Sequence, residues 1–380
     1  MKYSILILYL ILTFKLQMCY SQPKEILYVG TFSERDSKGI YVFEFDRDNK
    51  IIELIQTIGG KVGPSFLDTD PKGNYLFSVN GTGIGDQKRW GSVTSYKINR
   101  KNGKLSKNNI VSAFGGGPCH IVIDKTGTRA LVSNYGSGNL VMFPISNAGL
   151  LSEEAVTIQH NGSSVNESRQ KKPRVHSIKL SYDNNYAYVS DLGIDKVMIY
   201  ELDAEMGSLK PAQKPYVDIE QGSGPRHFAY HPDLPYAYVI NELFNTVTAF
   251  KVDKQNGSLT TIQTITTLPK LFNEVSYCAD IHIHPNGKFL YGSNRGNNTI
   301  VVFSIDQSTG ELDLVDHTST KGDWPRNFMI DQEGKLLLVA NQKTDDIYIF
   351  EIDGETGKLK DSGVKLNVPA PVCLKILSLR

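Results

Sequence analysis

Four ionisable residues, His176, Arg226, Glu242 and Arg295, fall at matching places in a repeated sequence pattern, where a purely structural repeat would keep small or apolar side chains. Any one of them alone reads as a solvated ion pair. Together they point to chemistry, because clustered charges are costly to desolvate unless they bind or catalyse something. The arginines suit a carboxylate, a phosphate or a developing oxyanion. A glutamate kept ionised by such arginines is a candidate general base, and a histidine suits proton transfer near neutral pH. Arg326, His120, His227, Tyr135 and Gln342 hold the same register positions in other repeats and are candidates to line the pocket.

Competing chemistries are weaker. Gly115-Gly116-Gly117 precedes a strand rather than a helix, so it is no phosphate or dinucleotide loop. No Gly-x-Ser-x-Gly elbow occurs. His231 and His284 share the hairpin position of Asp70, Asp124 and Asp331 and read as turn caps. That weakens His282-Ile283-His284 as a metal motif, and no metal is expected.

The elements that must position these residues are short strands. Runs such as YLFSVN, YAYVSD, YAYVIN, FLYGSN and LLLVAN are rich in Val, Ile, Tyr and Phe and bounded by Gly, Asn, Asp or Pro. No helical period competes with them. Each unit opens on a first strand, A, which ends in a hairpin such as DPKG or HPNG. Strand B closes on Asn80, Asn134, Asp191, Asn241, Asn294 or Asn341, at intervals of 47 to 57 residues. Strand C follows, and a turn such as KNGKL or STGEL leads into strand D. Six complete units begin near Pro64, Pro118, Arg174, Pro225, Ala279 and Pro325, while residues 26–57 supply B, C and D of another. The tail Pro371–Ile376 resembles the missing strand A. The expected fold is therefore all-β: a seven-bladed β-propeller with four antiparallel strands per blade, closed by the C-terminal strand pairing with the first blade. In that fold the start of A and the end of B emerge on one face, which brings the four ionisable residues to a common rim.

The 380 residues, 40% hydrophobic and 10% aromatic, suffice for a packed core, and a net charge of +1 without a basic stripe argues against nucleic acid as a partner. Residues 1–21, with Lys2, the apolar run Tyr3–Phe14 and Ser21 before Gln22, read as a signal peptide, leaving residues 22–380 as the propeller domain. The apolar run is shorter than the ~20 residues of a membrane span. Export to the periplasm or medium is expected, with lipid attachment at Cys19 as the lesser reading. Cys119, Cys278 and Cys373 have neither a disulfide-framework nor a metal-ligand spacing and read as small buried side chains, with one bridge left open.

Gly224-Pro225-Arg226-His227, His231-Pro232, Asn241-Glu242-Leu243, Ala279-Asp280-Ile281-His282, Asn294-Arg295-Gly296 and Pro325-Arg326-Asn327-Phe328 resemble the lactonase-family seven-bladed propellers. Gly117-Pro118-Cys119-His120 and Val175-His176-Ser177 fit as well. That family includes propeller-type 6-phosphogluconolactonases and 3-carboxy-cis,cis-muconate lactonising enzymes. The resemblance implies a cofactor-free, metal-independent site at His176, Arg226, Glu242 and Arg295, acting on a small lactone or carboxylate. The leading expectation is hydrolysis of a sugar lactone. The alternatives are cyclisation of an unsaturated dicarboxylate and a non-catalytic extracytoplasmic binding propeller.

Overall fold

The computed structural model describes residues 24–60, 63–83 and 90–379. The expected signal segment and Cys19 lie outside them. Among the described residues the chain forms seven four-stranded antiparallel sheets. Their innermost strands are Pro64–Thr69, Pro118–Ile123, Val175–Leu180, Pro225–Tyr230, Tyr277–Ile283 and Pro325–Ile330 in blades 2 to 7, and Pro371–Leu379 in blade 1. The tail pairs antiparallel with Lys24–Thr31, from Lys24 opposite Leu379 to Thr31 opposite Pro371. The ring closes as the repeat predicts. Blade 4 opens at Val175 and blade 6 at Tyr277, close to the Arg174 and Ala279 that the repeat gives.

Alternation along each strand sends successive side chains to opposite neighbours. In blade 1, Leu27 and Val29 pack with Leu336, Leu338 and Ala340 of blade 7. Ile26 and Tyr28 of the same strand face Leu67 and Leu76 of blade 2. Seven such clusters join the blades in a cycle, so both faces of every blade are covered. Hydrogen bonds repeat the linkage. Tyr28, Tyr188, Tyr238 and Tyr291 donate their hydroxyls to the turn carbonyls of Gly103, Gly257, Gly310 and Gly357 in the next blade, at 2.8, 2.9, 2.9 and 2.8 Å.

The hairpin residues do what their position requires. Asp124 Oδ1 accepts from the amides of Thr128 at 2.8 Å and Arg129 at 2.7 Å. His231 and His284 are turn caps whose Nδ1 accepts from Leu234 N at 2.9 Å and Asn286 N at 3.1 Å, while their Nε2 donates to Gly287 and Gly334 of the neighbouring blade. The closing residues of strand B are fully buried and hydrogen-bonded. Asn241, for example, donates to Thr246 Oγ1 at 2.9 Å and Thr248 Oγ1 at 3.0 Å. Cys119, Cys278 and Cys373 are free thiols.

Strand Pro371–Leu379 buries Val372, Cys373, Leu374, Ile376 and Leu379. At about 1.5–3 kcal/mol per large apolar side chain, its loss removes on the order of 10 kcal/mol, comparable to the whole stability of a typical domain. A chain ending at Ala370 is expected to aggregate or melt without a cooperative transition, as circular dichroism and size-exclusion chromatography would show. A native-like melt would count against closure by the tail.

Candidate active site

A small irregularity repeated around the ring builds the site. Where strand A pairs with strand B, the register skips one residue: Ser65, Cys119, His176, Arg226 and Arg326 in blades 2, 3, 4, 5 and 7, and Val372 in blade 1. Blade 6 skips two, Ala279 and Asp280. A bulge frees a residue from the ladder and re-aims its side chain. All six singly skipped residues line one chamber of about 680 Å³ at the mouth of the central channel. The ends of strand B add Tyr135, Glu242, Arg295 and Gln342 to its wall.

Glu242 is the hub. Its Oε2 accepts from Arg226 Nε at 2.9 Å and lies 3.0 Å from Arg295 Nη2, while its Oε1 accepts from Arg169 Nη2 at 2.6 Å. Glu242, Arg226 and Arg295 are all at most 5% exposed. Burial alone would raise the Glu242 carboxyl, yet Arg295, Arg226 and Arg169 together hold it well below the usual carboxylate range. A carboxylate so stabilised, with both oxygens engaged, is a weak proton acceptor at neutral pH. The geometry suits an anchor for three guanidiniums better than the general base expected from its residue type.

The guanidiniums are fixed from several sides. Arg226 donates Nη1 to the Ala279 carbonyl, and Arg295 donates Nη2 to the Cys278 carbonyl at 2.7 Å. Arg295 also lies over the Trp324 ring, 5.5 Å from its centre. Burial and the Arg295 charge bring Arg226 down to about 10, and burial with Arg226 and Arg295 brings Arg326 down to about 9. All remain cations at neutral pH. Arg326 lies over the Phe32 ring, 4.9 Å from its centre, and makes no hydrogen bond to a described residue. The chamber thus holds four guanidiniums against one carboxylate among its described lining residues, apart from Glu34 at its outer rim.

Arg169 escaped the sequence reading. It comes from the insertion between strand Val156–Gln159 and strand Val175–Leu180 and has no counterpart in the repeat. Asn166 Oδ1 accepts from Arg169 N at 3.1 Å, and buried Gln170 ties the same loop to the Leu192 carbonyl at 2.8 Å. Arg169 therefore reaches Glu242 and the Tyr135 hydroxyl, the latter at 3.0 Å. The only trace in the sequence is the 57-residue interval from Asn134 to Asp191, the longest of the series.

His176, His227 and Phe66 line the base of the chamber, with a third imidazole, His120, behind them. His227 lies 5.4 Å from His176 and 5.6 Å from His120, ring centre to ring centre. His120 sits beneath the chamber rather than in its wall, stacked on Phe66 at 4.3 Å and facing a second cavity of about 550 Å³. Burial, reinforced by Arg226, drives His176 well below 6.5 and brings His227 to about 4, so both are neutral near pH 7. Cys119, whose thiol meets the His176 carbonyl at 3.2 Å, is pushed up to about 12 by burial and is no thiolate nucleophile.

Comparison with known proteins bears on this arrangement. Residues 26–376 match the family model described as lactonase, 7-bladed beta-propeller. The chain is 35% identical over 358 residues to a 6-phosphogluconolactonase of Bacillus subtilis, covering 93% of this chain and 99% of that protein. The structure of a putative 6-phosphogluconolactonase from Bacteroides fragilis superposes with a TM-score of 0.86 at 32% identity, covering 94% of this chain and 98% of the other. A periplasmic gluconolactonase of Pseudomonas aeruginosa gives 0.85 at 30% identity, covering 94% and 100%.

Removing the anchor leaves buried cations unpaired. Glu242→Gln is expected to destabilise the folded protein by about 3–5 kcal/mol in chemical denaturation at pH 7. The folded Glu242 carboxyl is depressed, so its stabilisation is complete above the unfolded glutamate value of about 4.3 and fades as pH falls below it. The gap between wild type and variant should therefore narrow between pH 4 and pH 2. A constant gap across that range would contradict the charge network.

Proposed function

We propose, for a chain that belongs to the seven-bladed β-propeller lactonase family, that this protein hydrolyses the ring ester of an acidic sugar lactone at the bulge-built chamber. The carrying observation is the charge imbalance among the described lining residues, four guanidiniums against Glu242 within the chamber and Glu34 at its outer rim. Arg226 and Arg295, held by Glu242, face the reacting carbonyl and stabilise the tetrahedral oxyanion. Arg326, which makes no hydrogen bond to a described residue, takes the carboxylate or phosphate of the substrate. His176, Tyr135 and Gln342 complete the wall, with His227 at the floor and His120 behind it. Hydrolysis adds water across the C–O bond and needs no redox partner. Export of the chain, supported by the composition of residues 1–21, places this chemistry on a lactone available outside the cytoplasm; mass spectrometry of the mature N-terminus, expected at Gln22, tests it.

Purified protein in a pH-stat should open 6-phosphogluconolactone or an aldaric-acid lactone with a higher kcat/KM than neutral glucono-δ-lactone. Arg326→Ala should erase that preference, costing the anionic substrate about 10- to 100-fold in kcat/KM, the worth of one charge-assisted contact, and the neutral one little. Arg295→Ala should abolish turnover of both. Equal rates on charged and neutral lactones would overturn the assignment of substrate charge, and silence on every lactone would overturn hydrolysis.

A further inference from the structure

Lactone opening requires a group that takes a proton from the attacking water and returns one to the departing ring oxygen. Glu242 is committed to three arginines, Cys119 is a protonated thiol, and His176 makes no hydrogen bond to a carboxylate among the described residues, its Nδ1 lying 4.0 Å from Cys119 Sγ. His227 is placed differently. Its Nδ1 is 2.7 Å from Asp280 Oδ1, and both side chains are below a tenth exposed. Its Nε2 makes no hydrogen bond to a described residue and belongs to a side chain lining the chamber.

Asp280 is one of the residues left out of the ladder in blade 6, and its carboxylate reaches across to blade 5. Its position is overdetermined. Oδ1 also accepts from the Ile281 amide at 2.9 Å, and Oδ2 accepts from Asn327 Nδ2 at 2.5 Å and from His282 Nε2 at 3.1 Å. Against the cost of burial, the neighbouring His282 and His227 hold the Asp280 carboxyl well below the usual carboxylate range, so it is an acceptor for the His227 Nδ1–H. A carboxylate on Nδ1 fixes the imidazole tautomer with its lone pair on Nε2. Asn327, a channel residue of blade 7, locks the same carboxylate and in turn accepts from the Leu374 amide of the closing strand at 2.7 Å.

We propose that His227, oriented by Asp280, is the general acid–base of this site; the inference rests on the lactonase reading above. Water gives its proton to His227 Nε2 as its oxygen bonds to the lactone carbonyl carbon. The carbonyl π electrons move onto oxygen, forming an oxyanion held by the arginines. Collapse of that oxyanion breaks the ring C–O bond, and the imidazolium returns its proton to the alkoxide, leaving the open hydroxy acid and neutral His227. Asp280 stays ionised throughout and is a positioning residue.

The test takes wild-type turnover first, since its absence would fail the lactonase reading and not this one. Against active wild type, His227→Gln and His227→Ala, each checked by thermal melt, should lose about 10²–10⁴-fold in kcat with KM little changed. Added imidazole should restore part of the His227→Ala rate. Asp280→Asn should lower kcat in the same sense by presenting a donor where Nδ1 needs an acceptor. Wild-type kcat in either folded His227 variant, or a loss in His227→Ala that imidazole leaves unchanged, overturns the proposal. If neither variant folds, side-chain nitrogen NMR of the wild-type protein decides: His227 must be neutral at pH 7 with its proton on Nδ1, and an imidazolium or an Nε2–H tautomer would refute it.

Discussion

One extra residue at the start of each inner strand is the constraint on which the site depends. An antiparallel ladder alternates its side chains between two faces, and in this ring both faces are claimed by neighbouring blades. A regular inner strand would therefore leave little to aim at the axis. The bulge breaks the alternation once per blade and turns Ser65, Cys119, His176, Arg226, Arg326 and Val372 into the same chamber. Because the ring is closed by Pro371–Leu379, the bulges stand opposite one another rather than along an open edge. Convergence is a property of closure, and the chemistry comes from which residue each blade spends on its bulge.

The electrostatics follow from that convergence. Arg226 and Arg295 would each bear a large desolvation penalty alone, and Glu242 offsets it by accepting from both. Arg169 completes the carboxylate's coordination from the outside. The remaining positive excess suits an anion, with Arg326 the donor that no described residue occupies. Burial first, and the charge of this cluster after it, keep His176 and His227 neutral near pH 7.

Much of this was legible in the sequence, because a propeller blade is a local object. Strand patterns, turn signals and the polar residue closing strand B recur within about fifty residues, and the orphan strand A at the C-terminus announces closure. The register even picked out His176, Arg226, Glu242 and Arg295 as neighbours, since equivalent positions on different blades meet at the axis. What the register could not convey lies off it. Arg169 sits in an insertion, so no repeat position predicts where its side chain goes. Asp280 appears in the register as one more channel residue, and its bond to His227 of the neighbouring blade is visible only in three dimensions. His120 has the right position along its strand but lies below the wall. The saturation of Glu242 likewise becomes visible only once Arg169 is seen to arrive.

The repeat is also broken in its backbone where it touches the site. The residue before the first proline of strand A adopts a left-handed conformation, and blades 2, 3 and 5 put glycine there, with φ of 60° at Gly63, 62° at Gly117 and 65° at Gly224. Blade 7 puts Trp324 in the same conformation, at φ 69°. A bulky side chain there carries a steric cost of about 1–2 kcal/mol that glycine would avoid. The ring so placed lies over Arg295 and under Lys343, meets Tyr277 edge-on, and lines the chamber. Stability alone would favour glycine, as in blades 2, 3 and 5, while blade 1 has the small Ala370 there at φ 47°. The departure is explained by what the indole does to its neighbours, since a planar guanidinium resting on an aromatic face is held in one orientation. Arg295 owes its aim both to Glu242 and to a strained residue that the repeat would otherwise have made glycine.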